Sequence, residues 1–274
     1  MQVNFLRVMA AIGLMVLGAS SGAQAQLATN FLVEALNTPQ NAGEVINVRV
    51  TARSLLNLPI PLYIPLSNVT IAASQDSASF TTSQAGLQLA DNGDGTATIP
   101  SGGGNRFDLN GQATFGVRMV QSGGPVTITV SQDSTSGQTS VQWNTGPADH
   151  LEFSVQPASS AVGTPLTPAV LIVDAQGNPV TSDTRVITLA LHTNPVNATL
   201  QGTVSKAAVG GVATWTAGDN LSVSTAGEGF TLRASHLGGP LPGSDEAVSS
   251  PYNMSGSSSN SNSNSGDGNS NTNG

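Results

Sequence analysis

Apolar and polar residues alternate along much of the chain with the period of two that marks a half-buried strand. Val48, Val50 and Ala52 interleave with Asn47, Arg49 and Thr51, and Val126-Thr127-Ile128-Thr129-Val130 sets aliphatic side chains against threonines. Ile187-Thr188-Leu189-Ala190-Leu191 and Phe230-Thr231-Leu232-Arg233-Ala234 read the same way. Between these runs lie turn clusters, notably Asp91-Asn92-Gly93-Asp94-Gly95-Thr96, Asn110-Gly111 and Gly177-Asn178-Pro179. Glycine and asparagine there accept left-handed backbone and proline presets φ, at the spacing typical of sandwiches. No convincing helix emerges, and the expected fold class is all-β.

The pattern also repeats. Gly111-Gln112-Ala113-Thr114-Phe115 returns as Gly211-Val212-Ala213-Thr214-Trp215 at an offset of 100. Gly123, Val126, Thr127 and Ser131 match Gly227, Phe230, Thr231 and Ser235 at an offset of 104, and Gly43, Val50 and Ser54 fall opposite Gly163, Val170 and Asp174 at an offset of 120. Matches in one order with drifting offsets describe a duplicated domain with loop insertions. The junction is expected near Asn144-Thr145-Gly146-Pro147-Ala148-Asp149.

The two ends read differently. Arg7, the apolar run Val8 to Leu17 and the small residues leading to Ala23-Gln24-Ala25 have the order of a secretory signal peptide, with Gln26 opening the mature chain. Residues 255–274 hold only Ser, Asn, Gly, Asp and Thr, with nothing to bury, and are expected to be disordered. The expected organisation is a signal peptide at 1–25, sandwich domains at 26–146 and 147–254, and the tail at 255–274.

Composition narrows the function. Only 9% of the 274 residues are charged, and 8 Lys and Arg stand against 16 Asp and Glu, a net charge of −8. That sign opposes phosphate backbones, so no nucleic-acid partner is expected. No apolar run after residue 25 is long enough to cross a bilayer as a helix. The chain contains no Cys, which removes disulfides, thiol chemistry and lipid attachment at the cleavage point. Each domain must hold by packing alone.

The stretch from Leu151-Glu152-Phe153-Ser154-Val155-Gln156-Pro157 through Gly163-Thr164-Pro165, Val173-Asp174-Ala175-Gln176-Gly177-Asn178 and Gly211-Val212-Ala213-Thr214 resembles bacterial immunoglobulin-like repeats of the invasin and intimin type. The first half resembles a more distant copy, its Asp91–Thr96 turn being similar to one such domains carry before a strand. The resemblance implies two tandem immunoglobulin-like β-sandwich domains, surface-displayed or secreted, used as spacer, stalk or binding module. The expected role is an exported, non-enzymatic structural or adhesive module of the bacterial envelope or surface, with the periplasm an open location. The expected partner is an envelope or surface protein or a polysaccharide. A polysaccharide-binding module of secreted machinery is the alternative.

No catalytic residues, metal ligands or cofactors are assigned. His150, His192 and His236 lack zinc spacing, and no Gly-x-Ser-x-Gly elbow occurs. Asp91 and Asp94 frame a turn rather than a calcium loop, because glycines stand where oxygen ligands are needed. The segment Leu56-Asn57-Leu58-Pro59-Ile60-Pro61-Leu62-Tyr63-Ile64-Pro65-Leu66 is unusual, with Leu or Ile at every even position and three prolines at odd ones. The prolines exclude a central strand. It lies where the first domain is longer than the second, and either covers that domain's own sheet edge or forms an exposed strip that docks a partner. The candidate partner-binding residues are therefore Leu56, Leu58, Ile60, Leu62, Tyr63 and Ile64, joined by Trp143, which either packs near the junction or stacks on a sugar. Trp215 replaces Phe115 in the repeat and is expected in the core.

Overall fold

A computed structural model describes residues 28–82, 84–102 and 104–256. The expected signal peptide at 1–25 and the tail from residue 257 onward lie outside the described residues. Ser255, expected to open the tail, instead closes the last strand. The chain divides into two compact units, residues 1–144 and 145–274. Among the described residues helix is confined to one 3-10 turn, Ala217–Asp219.

The first unit contains β1 (Asn30–Ala35), β2 (Gln40–Asn41), β3 (Val45–Arg53), β4 (Val69–Ala73), β5 (Ser79–Thr81), β6 (Ala90–Asp91), β7 (Thr96–Ile99), β8 (Gln112–Arg118), β9 (Val126–Gln132), β10 (Thr135–Val141) and β11 (Trp143–Asn144). One sheet runs β1-β3-β8-β5 and the facing sheet β10-β9-β4-β7-β6. This is the A-B-E-D and G-F-C order of an immunoglobulin-like sandwich, with the β6–β7 hairpin added beside strand C.

The second unit contains β12 (His150–Val155), β13 (Ser160–Ala161), β14 (Ala169–Val173), β15 (Val186–Thr193), β16 (Leu200–Gln201), β17 (Ser205–Ala207), β18 (Val212–Thr214), β19 (Ser222–Val223), β20 (Gly227–Leu237), β21 (Glu246–Val248) and β22 (Tyr252–Ser255). Its sheets run β12-β14-β18 and β13-β22-β20-β15-β17, with β21 also paired to β20. The same A-B-E and G-F-C skeleton is present. In both units the first strand is split: its second piece leaves the A-B-E sheet and pairs parallel to the end of the last strand, β2 with β11 and β13 with β22.

Alternation delivers the cores. In β9 every second residue from Val126 to Gln132 is buried, and Ile46, Val48, Val50, Ile71, Val117, Ile128 and Val130 are fully enclosed between the first unit's sheets. Val170, Ile172, Ile187, Phe230, Leu232 and Trp215 do the same in the second. Each such side chain contributes roughly 1.5–3 kcal/mol by leaving water, which carries a chain without disulfides.

The sequence offsets reappear as equal strand registers. Val50 stands opposite Ala113 and Val170 opposite Ala213, while Thr70 faces Ser131 and Thr188 faces Ser235. Gly43 and Gly163 both adopt φ of +84°. The correspondence extends further than the sequence matches. After strand B the chain turns back, and the Ile60 N–H donates to the Ala52 carbonyl as the Val180 N–H does to Ile172, each at 2.9 Å. The Ala52 and Ile172 N–H groups donate to Gly111 and Gly211, again at 2.9 Å. Residues 54–60 are therefore the counterpart of 174–180, and the first unit's extra length lies between Ile60 and Gly111. This corrects the expectation that the whole proline-rich segment falls outside the repeated core.

The crossing demands glycine. Gly111 and Gly211 have φ of +69° and +78°, and a Cβ there would sit 2.2 Å from the Ile60 carbonyl oxygen and 2.5 Å from that of Val180. Both the left-handed backbone and the contact exclude a side chain. Gly211→Ala is expected to lower the unfolding free energy by about 2 kcal/mol or more, read as a lower urea midpoint. Gly239→Ala, which meets open space, stays within about 0.5 kcal/mol of the parent.

Candidate functional site

The proline-rich segment does not run as one extended strip. Its first part is a tight turn in which the Ser54 N–H donates to the Leu58 carbonyl at 2.9 Å and the Asn57 N–H to that of Ser54 at 2.8 Å. Asn57 takes φ of +59°, a conformation asparagine accepts more readily than most residues. Leu55, Leu56 and Leu58 project outward, 71%, 79% and 59% exposed. The chain then pairs Pro59 with Arg53 and drops Ile60 into the core.

A second left-handed residue, Leu62 at φ +53°, turns the chain again and donates its N–H to Asp108. Leu62 and Ile64 are half-buried and Leu66 is exposed. Tyr63 is buried, its ring edge-on to Phe107 at 5.1 Å between centroids and its hydroxyl donating to Gln132 Oε1. Burial pushes the Tyr63 phenol above its ordinary range.

The expected single aliphatic face on even positions is thus overturned. Two left-handed residues break the period of two, so Leu56 and Leu58 point to solvent while Ile60 and Tyr63 belong to the core. Leu55 precedes the even series and escapes that pattern; its place at the tip of a turn held by Asn57 is the signal that identifies it.

Trp143 is likewise removed from the surface. It lies in β11 with 1% exposure, within the first unit's core, and its indole N–H donates to the Glu44 carbonyl at 3.0 Å. No ring face is left for a sugar. Trp215 is equally buried, its indole N–H donating to Thr203.

The equivalent turn of the second unit has the opposite polarity. Asp174, Ala175, Gln176, Gly177 and Asn178 stand where Ser54, Leu55, Leu56, Asn57 and Leu58 stand in the first, and the same pair of backbone bonds closes it: Asp174 N–H to Asn178, Gly177 N–H to Asp174. Asp174 is fully buried, and its Oδ1 accepts the N–H groups of Gln176 and Asn178 while Oδ2 accepts that of Gly146, all at 2.9 Å. Burial pushes its carboxyl up, but these bonds and the Asn178 side chain outweigh it and hold the group below the usual carboxylate range. At the turn's base, buried Val173 occupies the position of Arg53, whose Nη1 donates to the Asn57 carbonyl at 3.2 Å. One unit has an apolar base and polar tip, the other a cationic base and leucine tip.

The other candidate groups serve local structure. Asp91 Oδ1 accepts the Gly93 N–H and Asp94 Oδ1 that of Thr96, so both carboxylates lock the β6–β7 hairpin. His150 bonds Asp149 and His236 bonds Asp245, each at 3.0 Å, and all three histidines lie near strand ends. Beside β8 a shallow polar groove is lined by Asn47, Thr81, Thr82, Gln84 and Thr114, and the Gln84 side chain caps the strand edge by bonding both Thr114 N–H and the Gln112 carbonyl. Among the described residues no helix is long and apolar enough to cross a membrane.

No family model and no curated protein matches the chain. Among solved structures it is similar to domains 5–6 of the S-layer protein SbsC, at 17% identity over 81% of this chain and 95% of that one, with a TM-score of 0.27. It is also similar to invasin, described as a bacterial integrin-binding protein, at 12% identity over 80% of this chain and 38% of that one, with a TM-score of 0.36. FdeC, an Escherichia coli adhesin, is 16% identical over 85% of this chain and 66% of that one, with a TM-score of 0.29. Likeness at this level transfers no ligand or partner.

The burial contrast sets two expected outcomes. Trp143→Ala lowers the unfolding free energy by about 3–5 kcal/mol, whereas Leu56→Ser changes it by less than about 0.5, both read from urea titrations. The depressed Asp174 carboxyl adds stability that is present above its unfolded pKa of about 3.9 and lost as pH falls through the folded value. Asp174→Asn is therefore less stable than the parent at pH 7, and its urea midpoint falls less between about pH 5 and pH 3.

Proposed function

We propose that the chain is an exported, non-enzymatic module of the bacterial envelope or surface with a structural or adhesive role, its adhesive point being the turn that carries Leu55, Leu56 and Leu58. One observation carries this reading. The two units build the same turn with the same backbone bonds, yet only the first decorates it with three solvent-facing leucines. The second unit closes the turn without them, so the fold does not require leucine there. Apolar side chains held in water on a hydrogen-bonded turn are the mark of an interaction surface.

The order of charge, apolar run and small residues at the N-terminus supports export, and the immunoglobulin-like strand order agrees with the invasin and intimin resemblance. Carboxylates engaged by their own turns support a structural rather than a catalytic use of the loops.

The test is co-sedimentation of the purified mature chain with intact cells of the producing organism and with their isolated envelopes. Saturable binding is expected, and a Leu55→Ser, Leu56→Ser, Leu58→Ser variant is expected to lose it while keeping its melting transition. Absence of binding to both, or equal binding by the variant, overturns the adhesive role of the turn.

A further inference from the structure

We infer that the leucine turn of the first unit docks on a phospholipid bilayer, inserting Leu55, Leu56 and Leu58 to the level where headgroups meet acyl chains; this rests on the adhesive reading of that turn. Size is the first reason. Three side chains on one turn offer a few hundred Å² of apolar surface, well short of the roughly 800 Å² per partner that a stable protein complex or a dimer of this chain needs. A bilayer asks for no shaped partner surface, because binding grows with the apolar area immersed.

The layering of charge is the second. The Arg53 guanidinium is held against the turn by its Nη1 bond to the Asn57 carbonyl, so a cation accompanies the leucines to the headgroup level, where phosphates can accept from it. The second unit, with Val173 at that position and polar residues at the tip, lacks both layers together. The turn also arrives with part of its backbone already closed, the Ser54 and Asn57 N–H groups bonded within it. That lowers the cost of moving a turn out of water.

Charge further selects the lipid. The chain carries −8 overall, and Asp108 stands on the neighbouring turn with Oδ1 engaged by the Asn110 and Gln112 N–H groups. An anionic surface repels such a chain, so the bilayer favoured is zwitterionic and the attraction is apolar, with little dependence on salt.

The experiment is flotation of the mature chain with phosphatidylcholine vesicles, at low salt and at about 0.5 M NaCl. The parent is expected to float with the vesicles at both salts, and the triple serine variant to bind about ten-fold less or weaker. Leu56→Trp supplies a measurement independent of the triple variant's folding. Trp143 and Trp215 are buried, so the added indole is the water-exposed one, and its emission is expected to move to the blue and to be quenched by brominated lipid. A parent that stays in the soluble fraction, equal flotation of the serine variant, or an unchanged Leu56→Trp spectrum overturns the inference. So does a concentration-dependent dimer that the serine variant loses while vesicles have no effect. If the parent binds envelopes but not vesicles, the lipid inference falls and the adhesive reading stands.

Discussion

Both units hang on one close approach of backbone to backbone. Strand B ends pinned between two neighbours: Ala52, and Ile172 in the second copy, gives its N–H to the glycine that opens strand E and its carbonyl to the chain returning from the B–C turn. Glycine is required at that crossing because the returning carbonyl occupies the space of a Cβ. Once pinned, the chain can leave the A-B-E sheet only there, and the turn between Ser54 and Leu58 is pushed clear of the core. Its backbone is dictated and its side chains are free. The same scaffold therefore tolerates a buried aspartate with polar neighbours in one copy and three leucines in the other.

The low charge content acquires a purpose in this setting. Asp91, Asp94, Asp108, Asp174, Asp219 and Asp245 each accept a backbone N–H from a turn close by. Asp219 also binds Lys206, the only lysine, at 2.8 Å, and that hydrogen bond leads in lowering its carboxyl to about 2. Carboxylates here act as locks on loops that disulfides close in many exported domains. Among the described residues the carboxyls of Asp94, Asp174, Asp219 and Asp245 are held below the usual range, so these locks loosen in acid.

Much of the fold is legible in the sequence. Alternation exposed the strands, and the offsets at Val50/Val170 and Ala113/Ala213 proved to be equal registers because facing positions in a duplicated sheet drift only where loops change length. The leucine turn was legible only in part. Pro59 and Pro179 mark its equivalence to residues 174–180 and Asn57 permits a left-handed turn, but Leu or Ile at every even position imitated a strand face, and nothing local revealed that Leu62 adopts left-handed backbone. Trp143 was left between packing and a sugar platform for a different reason. Its burial comes from β2 and from Glu44, 99 residues away, a contact invisible to any window of sequence.

The split first strand has a mechanical consequence. In each unit its second piece lies parallel to the end of the last strand, Gln40–Asn41 beside Trp143–Asn144 and Ser160–Ala161 beside Met254–Ser255. Tension applied to the two ends of a unit pulls parallel neighbours in opposite directions along their common axis. The hydrogen bonds between them are then loaded together in shear rather than opened one after another, and the core behind them stays closed until that short clasp gives way. A pull along either unit therefore loads its first-strand pairing, β1 with β3 or β12 with β14, together with this short clasp before it reaches the core.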